Sequence, residues 1–339
     1  MARFVVSGLL LSLVVSLSGC SGFIYRQTGD TLGGFAKAHM VPWLMANEDI
    51  GLACRTGGAV GPLVRSFERV DVHTELPSMV SWLGAGMCAE ASAWEAELTN
   101  LRAIKAGQAS VAKDAALLEE RHHRVAAMRF GVAWGLAVAK FPGIGGDKCP
   151  EIAADEEVYY LLGAAAGLLS VLHDRASGGA ANIDTRVLPM AARAAKCLNS
   201  EKWWGVPTAL QASVWMTVPG SAPKGTNIAK QFSEAAAQGD KAGVRLARAL
   251  QVLALEGAGD AKGMKAAVQA HQASIVKTPS AKHWRLLDTY GRTMTQQAVD
   301  RTWTREKGHR GPTGTLELPE KAPVPGQDDD MLGGLDGDG

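Results

Sequence analysis

Aromatic residues are scarce in this chain of 339 residues, at 6%, and tyrosine is the scarcest, with four against nine tryptophans. Charge of one sign is lacking too: 35 basic and 34 acidic side chains leave a formal net charge of +1. A near-neutral chain has no compositional basis for nucleic-acid binding, which rests on an excess of Lys and Arg. No window alternates apolar and polar residues at a period of two, so half-buried strands are not expected. There is no Cys-x-x-Cys and no Cys/His cluster, which argues against structural zinc. Also missing are a Gly-x-Ser-x-Gly elbow, a phosphate loop, a dinucleotide fingerprint and a His-Glu-x-x-His pair. Nothing here calls for a cofactor, and the chain reads as non-enzymatic.

What is present begins at the N-terminus. One arginine, Arg3, precedes an apolar run from Phe4 to Leu17, and Ser18-Gly19-Cys20 follows. That run is the length of a secretory signal core and short of the ~20 residues a spanning helix needs. Leu17-Ser18-Gly19-Cys20 resembles the bacterial lipoprotein box, in which the cysteine thiol is acylated and the chain is cut before it. The resemblance implies a signal peptide over 1–19, lipidation at Cys20 and a tether over 20–30. Ser21 stands where an aspartate would favour inner-membrane retention, so the implied address is the periplasmic face of the outer membrane. Two or more acyl chains would anchor stably, at ~0.8 kcal/mol per buried CH₂.

Four cysteines then remain: Cys54, Cys88, Cys149 and Cys197. In an exported chain an even number suggests two disulfides, with Cys54–Cys88 and Cys149–Cys197 favoured as sequence neighbours. Buried free cysteines are the alternative.

From 31 to 305 the helical period dominates, and the chain is expected to be all-α. Long helices are predicted around "LPSMVSWLGAGMCAEASAWEAELTNLRAIKAG", "SVAKDAALLEERHHRVAAMRFGVAWGLAVAKF" and "DEEVYYLLGAAAGLLSVLHDRASGG". Shorter ones follow at Asp184–Leu198, Pro207–Val218, Asn227–Gln238, Lys241–Glu256, Ala261–Lys277 and Ser280–Arg305. Turns at Gln238-Gly239-Asp240 and Ala258-Gly259-Asp260 pair a closing glycine with a capping aspartate, which makes neighbouring helices antiparallel. The expected architecture is a set of antiparallel hairpins, either a tetratricopeptide-like solenoid or an irregular bundle, with a sub-boundary near 142–154. Residues 306–339 carry three basic against eight acidic residues and read as a disordered acidic tail.

Two helices, Phe130–Phe141 and Val158–Leu172, are apolar nearly all round, with Gly-xxx-Gly spacings at Gly131/Gly135 and Gly163/Gly167. They are too short to span a membrane and suit a close-packed core, or the lining of an apolar cavity. Trp203, Trp204 and Trp215 cluster around a Gly/Pro break and fit a core boundary, a ligand mouth or a partner surface. Glu119 and His122 form half of a di-iron-type Glu-x-x-His motif, and Glu90, Glu95 and Glu97 could add carboxylates. No second copy exists, so a solvated helix face is the simpler reading and no metal is expected.

The lipoprotein box, "MANEDIGLACRTGGAV" and "WWGVPTALQASVWMTVPG" together resemble, in general character, the T-component lipoproteins associated with tripartite TRAP transporters. That resemblance implies a helical-repeat body around an apolar channel, a small organic ligand and a periplasmic protein partner, and leaves room for a homo-oligomer. A structural envelope-assembly lipoprotein is the alternative, and a metal-dependent helical-bundle enzyme a third.

Overall fold

The computed structural model describes residues 21–70 and 72–319. Cys20, the expected signal peptide over 1–19 and the end of the expected acidic tail lie outside the described residues. Within them the protein is all-α. Helix α1 (21–35) leads through a π-helical turn (Ala36–Met40) into α2 (Val41–Met45). Then come α3 (Ile50–Ser66), α4 (Glu75–Lys105), α5 (Ala109–Lys140) and α6 (Glu157–Ala176). The second half is built of shorter helices: α7 (Val187–Lys196), α8 (Val206–Thr217), α9 (Ile228–Ala242), α10 (Leu246–Gly257), α11 (Ala261–Lys277) and α12 (Arg285–Lys307).

From α3 to α11 each helix packs on the next in sequence, α3 on α4, α4 on α5 and α5 on α6, and then α7 on α8, α8 on α9 and α9 on α10. Only Ala106, Gly107 and Gln108 separate α4 from α5, so the two must fold back on each other. Small side chains set how closely they approach. A Cβ on Gly57 of α3 would sit 2.2 Å from the Ser81 carbonyl oxygen of α4, so those backbones touch. The same pair of helices is joined at Cys54–Cys88, whose Cα atoms are 5.2 Å apart. Cys149 and Cys197, with Cα atoms 5.5 Å apart, fasten the loop after α5 to the end of α7. Both expected pairs are therefore at disulfide distance.

Of the two expected arrangements, the bundle is the one found. Helix α12 packs on α10 and returns to α4, closing the chain on itself where an open solenoid would continue. Gly163 of α6 lies against Ala137, and Gly167 against Trp134, so the α6 pair of glycines gives close helix contact. Gly135 has open space around it, so the α5 pair does not repeat this.

Three expectations on organisation are corrected. The stretch 21–30 is helical and not an extended tether, because Gly29 seats α1 against Phe67 and Val72, and Arg26 Nε donates to the Val70 carbonyl at 3.1 Å. The loop at 142–154 separates helices without dividing the core, since one apolar cluster runs from Val41 to Met294. The acidic tail does not begin at 306. Leu316 is buried among Val252, Val268 and Val299, and Trp303 Nε1 donates to the Glu317 carbonyl at 2.7 Å. Leu318 packs on the same cluster, and the Leu316 amide donates to Gln272 Oε1 at 2.9 Å, so the segment is fastened to the helices.

Candidate functional site: an apolar cavity beside a buried polar chain

Where α2, α3, α4, α6, α8, α10 and α12 converge, they leave a cavity of about 90 Å³. Its wall is aliphatic: Leu83 and Met87 from α4, Leu168 from α6, Leu210 from α8, Leu250 from α10 and Leu287 from α12 face it, with many of their helix neighbours. A water needs roughly 10–15 Å³ of such space, so there is room for a small guest, and apolar lining of this kind keeps water out. Two hydroxyl-bearing side chains reach the wall, Ser81 and Tyr290. Ser81 is occupied by its own helix, donating to the Pro77 carbonyl at 2.8 Å. Tyr290 is different.

The Tyr290 hydroxyl donates to Glu90 Oε2 at 2.6 Å. The other oxygen, Glu90 Oε1, accepts from His173 Nε2 at 2.9 Å. His173 Nδ1 meets His123 Nδ1 at 2.8 Å, and His123 Nε2 faces Glu119 Oε1 at 3.8 Å. Four helices supply this row: α4 gives Glu90, α5 Glu119 and His123, α6 His173, and α12 Tyr290. Phe130 stacks on the His173 ring, with centroids 5.4 Å apart. Glu90, His123, His173 and Tyr290 are all buried, while Glu119 opens to the surface with 24% of its side chain exposed.

Burial and neighbouring charge set the protonation along the row. Burial, then the charge of Glu97, pushes Glu119 up to about 7. Burial, then His173 and Arg301, pulls His123 down to about 3, so its imidazole is neutral at ordinary pH. Burial, reinforced by Glu90, holds the Tyr290 hydroxyl well above 10, so it remains a donor. Alongside, Arg301 joins Glu97 (3.1 Å) to Glu256, and burial's lowering of the guanidinium is outweighed by those two carboxylates.

The chain matches no family model, no curated protein and no solved structure.

Glu119 and His122 do not form a ligand pair. Glu119 turns to His123, four residues on, while His122 is only half-buried and Glu95 is exposed and paired with Arg310. Among the described residues, no group of three His, Cys, Asp or Glu side chains is placed to hold a metal ion. Trp203 and Trp204 are packed in the core edge-to-face at 5.3 Å, Trp203 Nε1 donating to Glu157 at 2.7 Å, and Trp215 is half-buried against the same core. None of the three lines the central cavity. His173 and Tyr290 escaped the sequence reading. The available signal was the lone imidazole ending the apolar run "LLGAAAGLLSVLH", since a buried ring of that kind requires a polar partner.

Proposed function

We propose that this protein is a non-enzymatic, lipid-anchored binding protein at the periplasmic face of the outer membrane. Its helical body takes a small apolar or organic ligand into the central cavity and works with a periplasmic protein partner. In this reading it acts as a TRAP-transporter-associated component of the T-component kind. The observation that carries the ligand half is the apolar cavity formed where helices from both halves of the chain meet. The address rests on the Leu17-Ser18-Gly19-Cys20 pattern, supported by two cysteine pairs that suit an oxidising compartment. Among the described residues no helix is long and apolar enough to cross a membrane.

Two measurements test the reading. Xenon NMR on the full chain is expected to perturb methyl groups of Leu83, Leu168 and Leu287, and Ala165→Leu, which fills the wall, is expected to abolish that response. Native mass spectrometry of envelope-extracted protein is expected to show a chain beginning at an acylated Cys20, with a retained small molecule or a periplasmic partner. A cavity that excludes xenon would overturn the ligand half, and an unacylated Cys20 the address.

A structural envelope-assembly role is the second reading. It is favoured by an apolar stripe on α5, where Val111, Leu118 and Val125, seven apart, are 45%, 42% and 36% exposed. Changing all three to serine would leave xenon uptake intact in either case. It would remove a co-purifying envelope protein only if the stripe is the interface.

A further inference from the structure

The course of the polar row goes beyond satisfaction of buried groups: it runs across α5, α6, α4 and α12 from a partly exposed carboxyl group to a residue that lines the cavity. His173 is bonded through both Nδ1 and Nε2, Glu90 through both Oε1 and Oε2, and His123 through Nδ1, with its Nε2 turned toward Glu119 at 3.8 Å. An imidazole bonded at both nitrogens can accept a proton on one side and give one up on the other. The row starts at the partly exposed Glu119 and ends on Tyr290 at the cavity wall.

We propose that Glu119, His123, His173 and Glu90 form a proton relay between solvent and the wall of the central cavity. The inference rests on reading that cavity as the ligand site. The step balances with no added reactant. A proton on Glu119 passes to His123 Nε2 as the proton on His123 Nδ1 passes to His173 Nδ1, so a positive charge arrives on the ring that donates to Glu90. Onward transfer from His173 Nε2 to Glu90 Oε1 neutralises both. Tyr290 then donates to a carboxylic acid in place of a carboxylate, which loosens its hydroxyl at the cavity wall. The joint that must close is Glu119 to His123: at 3.8 Å it is longer than a hydrogen bond, and the flexible glutamate lies at the open end.

The groups facing the row are consistent with this traffic. Glu97 on α4 and Glu120 on α5 favour a proton on Glu119, and Asn100 on α4 and Arg301 on α12 oppose it. Arg301 and His122 keep His123 from holding the proton permanently, as a relay member must not. From α6, only His173 itself faces His123.

Histidine tautomers, read by ¹⁵N NMR on the ¹⁵N-histidine-labelled full chain without added ligand, test the relay. Each proton passed to Glu90 leaves His173 with its hydrogen on Nδ1 in place of Nε2, so a working relay shows the two tautomers in exchange, read as relaxation dispersion at the His173 nitrogens. Glu119→Gln, which keeps the shape but cannot pass a proton, slows that interconversion by at least about tenfold, leaving local opening as the remaining route. His123→Phe does the same, and unchanged backbone amide exchange at Val171 and Leu168 shows that the variants remain folded. If His173 shows a single tautomer without exchange, or interconverts at an unaltered rate in Glu119→Gln, the row is a static packing network and the relay is overturned. Xenon plays no part in this measurement, so a closed cavity and a failed relay give separate results.

Discussion

Tyr290 places its hydroxyl on a carboxylate in a buried site. Tyr290→Phe is therefore expected to leave Glu90 Oε2 without a donor and to cost about 1–3 kcal/mol, measured as a shift in urea midpoint. The titrating residues make a second prediction. His123 and His271 are each pulled down from 6.5 to about 3, His271 chiefly by burial, so the unfolded chain takes up their protons first and stability falls as pH drops below 6.5. Glu119 is raised from 4.5 to about 7, so its ionisation penalises the fold increasingly as pH rises from 4.5 to 7. Below pH 7 the two histidines outweigh the one glutamate, and from about pH 7 upward the opposing effects nearly cancel. These three groups therefore make stability rise from pH 4.5 to a plateau near pH 7, and a urea series from pH 4.5 to 8 checks it. At pH 8, Glu119→Gln should be more stable than the parent by about 1–2 kcal/mol, once screening at its exposed quarter is allowed for. The sequence pointed to Glu119 and to the adjacent histidines, but a three-residue and a four-residue spacing share a helix face. Only the packed neighbours decide that His123 turns inward. His173 and Tyr290 lie 83 and 200 residues from Glu90, so no local pattern could pair them.

At the scale of helices and turns, legibility followed the strength of the caps. Helix α11 has the boundaries expected of it, Ala261–Lys277, because Gly259 takes a positive φ and the Asp260 carboxylate accepts from the Gly263 amide at 2.8 Å. The turn expected at Gln238-Gly239-Asp240 is absent: α9 continues to Ala242 and closes on Gly243. Gly239 serves packing against the Val244 and Trp204 backbones, and Asp240 pairs with Arg248, so neither acts as a cap. Helix α3 was hidden by its own glycines, although Asp49 caps it by accepting from the Leu52 amide at 2.9 Å. The two turns yield a contrast. Gly259→Ala has open space and should cost only the left-handed penalty, about 1–2 kcal/mol. Gly243→Ala would bring a Cβ to 2.3 Å from the Pro279 carbonyl oxygen and should cost at least about 1–3 kcal/mol more, because the backbone must shift. Thermal or urea midpoints of the two variants, measured side by side, check the order.

For the whole molecule, the all-α class and both cysteine pairs were readable, whereas the return of α12 to α4 was not. Periodicity describes a helix face and says nothing about which distant face will cover it. Reducing the two disulfides, which close separations of 34 and 48 residues, should lower stability by about 4 kcal/mol each on the chain-entropy model, as read from urea midpoints with and without reductant. Leu316→Ala should cost about 2–5 kcal/mol and free the segment after α12 for proteolysis, because this leucine fastens it to α10, α11 and α12.

The span between Glu90 and Tyr290 also sets an order of events. Helices α3 to α6 meet through contacts close in sequence and can associate early, during synthesis as well as on refolding. Glu90 then already has His173, but its second oxygen has no donor until α12 arrives 200 residues later. A chain halted before that point keeps an unmatched carboxylate oxygen at the seam its last helix should cover. Completion of the fold is thus registered chemically, by the hydroxyl of one tyrosine whose ring lines the central cavity.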